Sequence, residues 1–265
     1  MNYKTMLMAS AAVLFASQAM AQDLTGAFSV PGKGQIMSDT SVVMGRYKDG
    51  LKGGQYDAED SVIAREILEY GITDNFSVNG TIANEFDTEG HYNNDHNFLY
   101  GLGAKYNMRF DDVLFQIGGR YNTSNPKDFF GHNTPRRWEK SLGLDLKAGL
   151  DLGNGLTPYI VYSVDSAVDT AHRPVEQSVK AGIHKYTGKW ALDGAVRYAW
   201  SKNNKAPKND TATYFDAEAD YYLRDNVALG IFGSYLVDAH DQQGALGKLH
   251  VKEGHEIGIR VKVLF

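Results

Sequence analysis

The chain has no cysteine, which removes a disulfide framework and any thiolate metal site. It has no run of about 20 apolar residues, and with a mean hydropathy of −0.38 a bundle of transmembrane helices is excluded. A basic excess is also missing. The 27 Lys and Arg against 32 Asp and Glu give a formal net charge of −5, so the electrostatic footprint of a nucleic-acid binder is absent. Proline is scarce, at 6 residues in 265, so few positions forbid long strands. What is abundant is Gly (28), Tyr (16) and Phe (12), a combination that suits β-strands joined by tight turns. A membrane barrel survives all of these exclusions, because its alternating strands average to a polar composition.

The first 21 residues read as an address. Lys4 is a short positive region, Met6 to Phe15 form an apolar region, and Ala19-Met20-Ala21 gives a small-x-small cleavage pattern ahead of Gln22. Such a segment directs export and is then removed. No Cys stands at the cut, which closes the lipoprotein route. The expected organisation is a signal peptide over 1–21 and a single domain over 22–265, since no linker or composition shift divides the rest.

That domain alternates with a period of two, the signature of strands whose two faces differ. Phe98, Tyr100, Leu102, Ala104, Tyr106, Met108 and Phe110 share one parity, and Lys105, Asn107 and Arg109 the other. The pattern recurs from Leu142 to Leu152 against Asp145 and Lys147, and from Trp190 to Trp200 against Asp193 and Arg197. It closes the chain, with Ile257, Ile259, Val261, Val263 and Phe265 against Glu256, Arg260 and Lys262. Short turn signals (Thr73-Asp74-Asn75, Asp111-Asp112, Gly153-Asn154-Gly155, Thr187-Gly188-Lys189, Arg224-Asp225-Asn226) alternate with longer polar connections. Short turns on one side and long loops on the other are the asymmetry of an outer-membrane barrel. The segments number about twelve, near 35–47, 57–72, 76–87, 98–110, 113–122, 140–152, 156–167, 175–186, 190–201, 211–223, 227–237 and 249–265. Each reaches the roughly 9–11 residues a tilted strand needs to cross a bilayer.

A soluble sandwich also alternates. Against it, the apolar parity carries aromatics at strand ends (Phe76 and Phe86, Phe98 and Phe110, Trp190 and Trp200), as two interfacial girdles require. With export, alternation, loop asymmetry and the terminal Phe265 in view, the mature chain resembles the bacterial outer-membrane β-barrel proteins, the porin-like superfamily. The resemblance implies an all-β, antiparallel up-and-down barrel of about 12 strands in the outer membrane of a Gram-negative bacterium. It also implies contact with membrane lipid and lipopolysaccharide, and recognition by the barrel assembly machinery through the last strand ending at Phe265. An aromatic is common two residues before such an end, where this chain has Val263.

Placing the polar parity inward makes Lys105, Arg109, Arg120, Asp145, Lys147, Lys180, Asp193, Arg197, Asp216, Glu218, Asp220, Glu256 and Arg260 pore-lining. Acidic and basic members nearly cancel, and rings of one sign are what set strong selectivity. The expected function is therefore a small passive channel for small hydrophilic solutes with weak charge selectivity. The alternative is a non-conducting structural or surface-binding barrel, its charges paired across the lumen. Asp216, Glu218 and Asp220 are about 7 Å apart on one face, so the row needs cations, and Arg197 on the preceding strand is expected to touch it. Phe129, Phe130, Arg136, Arg137 and Trp138 occupy the longest connection, a candidate constriction at the mouth.

Enzymatic barrels need particular residues side by side on one face. None of the 8 His residues has a Ser two positions away, the pairing a barrel phospholipase uses on one face. Asp238, His240 and Asp241 fall in a loop and match a barrel protease only weakly. His91, Asp95 and His96 are spaced for no single strand or helix face, so no metal and no cofactor are expected, and no catalytic residue is assigned. The least regular stretch is Asp57 to Ile72. If Tyr70 and Ile72 face lipid, Glu66 does too near mid-depth, unless a bulge near Arg65 resets the parity. The strand around Ile36 to Tyr47 shares this ambiguity.

Overall fold

The computed structural model describes residues 27–51, 56–87, 96–125, 139–168, 175–202, 210–240 and 249–265. The expected signal peptide and the candidate mouth residues Phe129, Phe130, Arg136, Arg137 and Trp138 lie outside these. Twelve strands follow one another: β1 Ile36–Leu51, β2 Tyr56–Gly71, β3 Phe76–Asp87, β4 His96–Phe110, β5 Val113–Asn125, β6 Glu139–Leu150, β7 Leu156–Ala167, β8 Val175–Thr187, β9 Trp190–Lys202, β10 Asp210–Arg224, β11 Val227–His240 and β12 Leu249–Leu264. Each pairs antiparallel with its sequence neighbours, and β1 with β12 completes a closed barrel. Closure leaves no unpaired sheet edge, which a bilayer requires because it offers no water to an open one. Phe265 seals the seam: Ile36 and Phe265 exchange backbone hydrogen bonds of 3.1 and 2.8 Å.

The short connections turn tightly for local reasons. Asp111 adopts φ 52° and Gly188 φ 59°, left-handed conformations that aspartate tolerates and glycine takes freely. Thr73 holds its turn by accepting, at its hydroxyl, the Phe76 amide at 3.0 Å. Short turns mark the periplasmic end of an outer-membrane barrel, so the ends named here periplasmic are those at Gly71, Phe110, Leu150, Thr187 and Arg224.

The apolar parity faces outward. Leu102, Ile183, Val196, Ile231 and Ile259 lie between 50 and 68 % exposed, a surface that needs lipid rather than water around it. The register from Ile36↔Tyr70 to Gly50↔Tyr56 and from Ser61↔Asp87 to Gly71↔Ser77 runs without a shift. No bulge therefore resets β2 near Arg65. Leu68 and Tyr70 point out while Glu69 points in at 1 % exposure, which leaves Glu66 on the lipid side. The structure resolves the conflict on the neighbouring strand instead. Ser38 Oγ donates to Glu66 Oε1 at 2.6 Å, and Thr40 Oγ1 donates to Oε2. The parity of β1 follows, with Val42 and Met44 outward and Ser41 and Val43 inward.

Candidate functional site

The inward parity builds a wall of ion pairs. On β8 to β12, Arg197 spans Asp216 with Nε at 3.1 Å and Nη2 at 3.3 Å, and Lys180 approaches the same carboxylate at 3.5 Å. Arg260 binds Asp220 through Nε at 2.8 Å and Nη2 at 2.6 Å and also reaches Glu218. Lys262 stands 3.3 Å from Asp220. The acidic row is thus divided. Arg197 takes its outermost member, whereas the two inner ones are held from β12, across an intervening strand.

That crossing is possible because β11 presents Gly230 between them. A Cβ there would lie 1.9 Å from Asp220 Oδ1 and 2.9 Å from Arg260 Cγ, so any side chain at this position would force the pair to shift. The same device appears across the barrel. Arg120 on β5 reaches both Asp145 on β6 and Asp165 on β7, lying over Gly143, where a Cβ would meet Arg120 Nε at 2.5 Å. Lys105 pairs with Glu69 at 2.7 Å, and Arg109 with Asp151 at 2.8 Å on the exposed periplasmic rim. Asp193 accepts from Tyr159 Oη at 2.6 Å and faces His184 Nδ1 at 3.7 Å. Glu256 faces the interior on β12, opposite Ser234.

Lys147 is treated differently. Its ammonium donates to the carbonyl of Ala27 and sits 5.0 Å from the Phe28 ring centroid and 5.2 Å from that of Tyr159, within cation–π range. Residues 27–35 form a strap inside the periplasmic end. One end is fixed at β2, where the Gly34 amide donates to Gly71 O at 2.8 Å and the Gly71 amide to Gln35 O at 3.0 Å, and the Lys33 amide donates to Asp74 Oδ1 at 3.0 Å. The other end lies on the β4–β7 wall, where Asn107 Nδ2 donates to the Phe28 carbonyl. Pro31 and Gly32 between the two anchors are buried.

The interior is consequently tight at one end and roomier towards the other. Glu69, Ser77, Asp220, Ala228 and Leu264 at the periplasmic end are at most 2 % exposed, and Met37, Ala191 and Tyr222 join the apolar part of that packing. A cavity of about 270 Å³ lies farther up, bordered by Lys180, Arg197, Asp216, Glu218 and Glu256. A second of about 150 Å³ lies beside Tyr214 and Gly254. Sequence reasoning missed the strap, Glu69, and the grouping of Tyr159 and His184 around Asp193. Glu69 was hidden by the irregular alternation of β2, and the strap precedes the first strand and carries no periodicity.

No known protein family matches the chain by sequence, and no curated protein does. Solved structures do match in fold. An outer-membrane channel from Pseudomonas putida F1 superposes with a TM-score of 0.66 at 11% identity, covering 91% of this chain and 98% of that one. The NanC porin superposes at 0.52 with 13% identity over 83% and 98% of the two chains. The translocator domain of the autotransporter NalP from Neisseria meningitidis does so at 0.51 with 11% identity over 98% and 94%. The chain therefore has the fold of the bacterial outer-membrane β-barrels.

Proposed function

We propose that this protein is a small passive channel of the bacterial outer membrane, exported through a signal peptide over residues 1–21. Small hydrophilic solutes pass it with weak charge selectivity, and residues 27–35 narrow its periplasmic end. The observation that carries the reading is the interior itself: cations of β4, β5, β8, β9 and β12 each face a carboxylate of the wall, so neither sign dominates a path that retains polar cavities. Lys105, Arg109, Arg120, Asp145, Lys147, Lys180, Asp193, Arg197, Asp216, Glu218, Asp220, Glu256 and Arg260 line this path. In the same reading the outward surface meets lipid and lipopolysaccharide, and the strand ending at Phe265 is presented to the assembly machinery.

Planar-bilayer recording of the mature protein, and of a form lacking residues 22–33, tests it. Small, weakly selective openings that enlarge on removal of the strap are expected. Silence from both, with heat-modifiable gel mobility showing that both are folded, would leave a structural or surface-binding barrel. The close packing around Asp220 and Leu264 is the observation that favours that second reading.

A further inference from the structure

The outer face of the barrel is uneven. From β4 to β11 the outward side chains at the strand centres are apolar among the described residues. Outward polar groups there sit towards strand ends, as Lys140 and Gln177 do, Gln177 already accepts from Tyr162 Oη at 2.7 Å, and on β12 His255 is a single exposed exception. On β1 to β3 the inner outward positions instead include Thr40, Glu66 and Asn84, with Ser38 beside Glu66 nearer the periplasmic end. Glu66 lies four residues up the strand from outward Tyr70, about 13 Å along it and about 9 Å in depth at a tilt near 45°. The apolar band of such barrels is about 25 Å tall, so the group is well inside hydrocarbon.

A polar cluster there is costly unless it is paired or covered. An ionised carboxylate offers about four acceptor sites, and Ser38 and Thr40 fill two of them. On the next strand Asn84 takes an outward position, and its side-chain oxygen is buried without a hydrogen-bond partner. Acyl chains can supply none of the missing contacts.

We propose that the outer face of β1–β3 is where two copies of this chain meet in the bilayer. The argument for a second copy rests on self-complementarity. A two-fold interface needs donors and acceptors within one patch, and this patch has both: the Ser38 and Thr40 protons are already given to Glu66, which leaves the Asn84 side-chain amide as donor and the remaining Glu66 carboxylate sites as acceptors. A basic partner would bring donors alone and leave the Asn84 amide unpaired, and among the described residues no outward cation lies at this depth to offer a charge in return. Shape agrees with this. Small Ala64 and Gly80 flank Glu66 on β2 and β3, so backbones can approach as small residues allow in membranes. Met44, Leu68 and Leu102, 53 to 68 % exposed, surround them as an apolar rim. This inference does not depend on whether the lumen conducts.

Because the chain has no cysteine, single introduced thiols report contacts without background. Ala64→Cys and Leu68→Cys flank Glu66, and Ile183→Cys lies on β8, across the barrel. In vesicles treated with copper phenanthroline, a disulfide-linked dimer is expected at one or both flanking sites and none at 183. In a Leu68→Cys background, Ser38→Ala/Thr40→Val/Glu66→Leu should weaken dimerisation roughly tenfold, the scale of one or two polar contacts in lipid. That variant should still fold, as read from heat-modifiable mobility, and Glu66→Gln should keep most of the dimer. No cross-linking at either flank, equal cross-linking at Ile183→Cys, or an undiminished dimer in the triple variant would each overturn the proposal.

Discussion

The sectors β1–β3 and β8–β12 handle polar groups in opposite ways. On β8–β12 the acidic row points inward and meets counter-charges, as Asp220 meets Arg260 and Asp216 meets Arg197, while the outside is apolar apart from His255. On β1–β3 polar groups occupy both faces of the same strands. Glu69 and Glu66, three residues apart on β2, point to opposite sides. The inner one is held by Lys105 and Ser77, the outer by two hydroxyls alone. Inside the barrel a cation balances a buried carboxylate; on the lipid face only neutral donors do. Orientation on β8–β12 is dictated by hydrophobicity, and on β1–β3 by hydrogen bonding to the adjacent strand.

The strongest break to that contrast is to remove a cation from the inner network. Arg260→Met leaves Asp220, at 1 % exposure, with Lys262 alone, and strips Glu218 of its nearest partner. Removing one member of a buried pair costs about 3–5 kcal/mol. Urea unfolding from lipid vesicles should show a loss of this size. A loss below about 1 kcal/mol, the range of surface pairs, would mean that water reaches the network and that the periplasmic end is not tightly packed.

A charge placed outside should separate the two sectors directly. Ala217→Arg puts a cation on the apolar face of β10, where the cost at mid-depth is about 2–4 kcal/mol. Ala64→Arg on β2 places the same group within reach of Glu66, so its cost should be clearly smaller. Paired measurements of folded fraction decide between them. Equal penalties would erase the distinction between the sectors, and an Ala217→Arg protein that assembles normally would exchange inside and outside.

The same contrast explains what could be read without coordinates. All twelve strands were visible, with ends within a few residues, because β4 to β12 alternate cleanly and each turn carries Gly, Asn or Asp. Arg197 was rightly expected beside the acidic row, since the two strands are neighbours. Arg260 and Lys262 lie two strands from the row, and sequence spacing does not show that a glycine on β11 opens a way across to it. Glu66 was correctly suspected of facing lipid, but a bulge was the anticipated remedy. The actual one, two hydroxyls on β1, depends on a strand register that alternation on β1 was too weak to fix.

The acidic row offers a gentler probe than Arg260. Asp216 is its site farthest from the tightly packed end, bordering the cavity of about 270 Å³ and shared between Arg197 and Lys180. Asp216→Asn keeps the shape and the Ser234 contact while freeing two cations towards the lumen. If the cavity belongs to a conducting path, the reversal potential in a salt gradient should move modestly towards anions, with folding unchanged. The matched substitution Asp165→Asn, on the β5–β7 side, should move it in the same direction. A shift from one and not the other would place the path along a single wall.

The smallest effect is expected where carboxylates leave the bilayer altogether. Asp151 lies in the turn after β6, accepting from the Gly153 amide at 3.1 Å and from Arg109 at 2.8 Å. The backbone donor first, and Arg109 next, hold its pKa below the usual carboxylate value. A depressed folded pKa stabilises the fold above the unfolded value and loses that contribution as pH falls through the folded one. The stability difference between the native protein and Asp151→Asn should therefore be constant from pH 7 to about pH 5 and shrink below about pH 4, the ordinary range of an aspartate. Its size should be small, because water screens an exposed pair, and salt should reduce it further. A difference that instead grew on acidification would mean that the carboxyl prefers its protonated form in this turn, so that neither Gly153 nor Arg109 holds it as a charge.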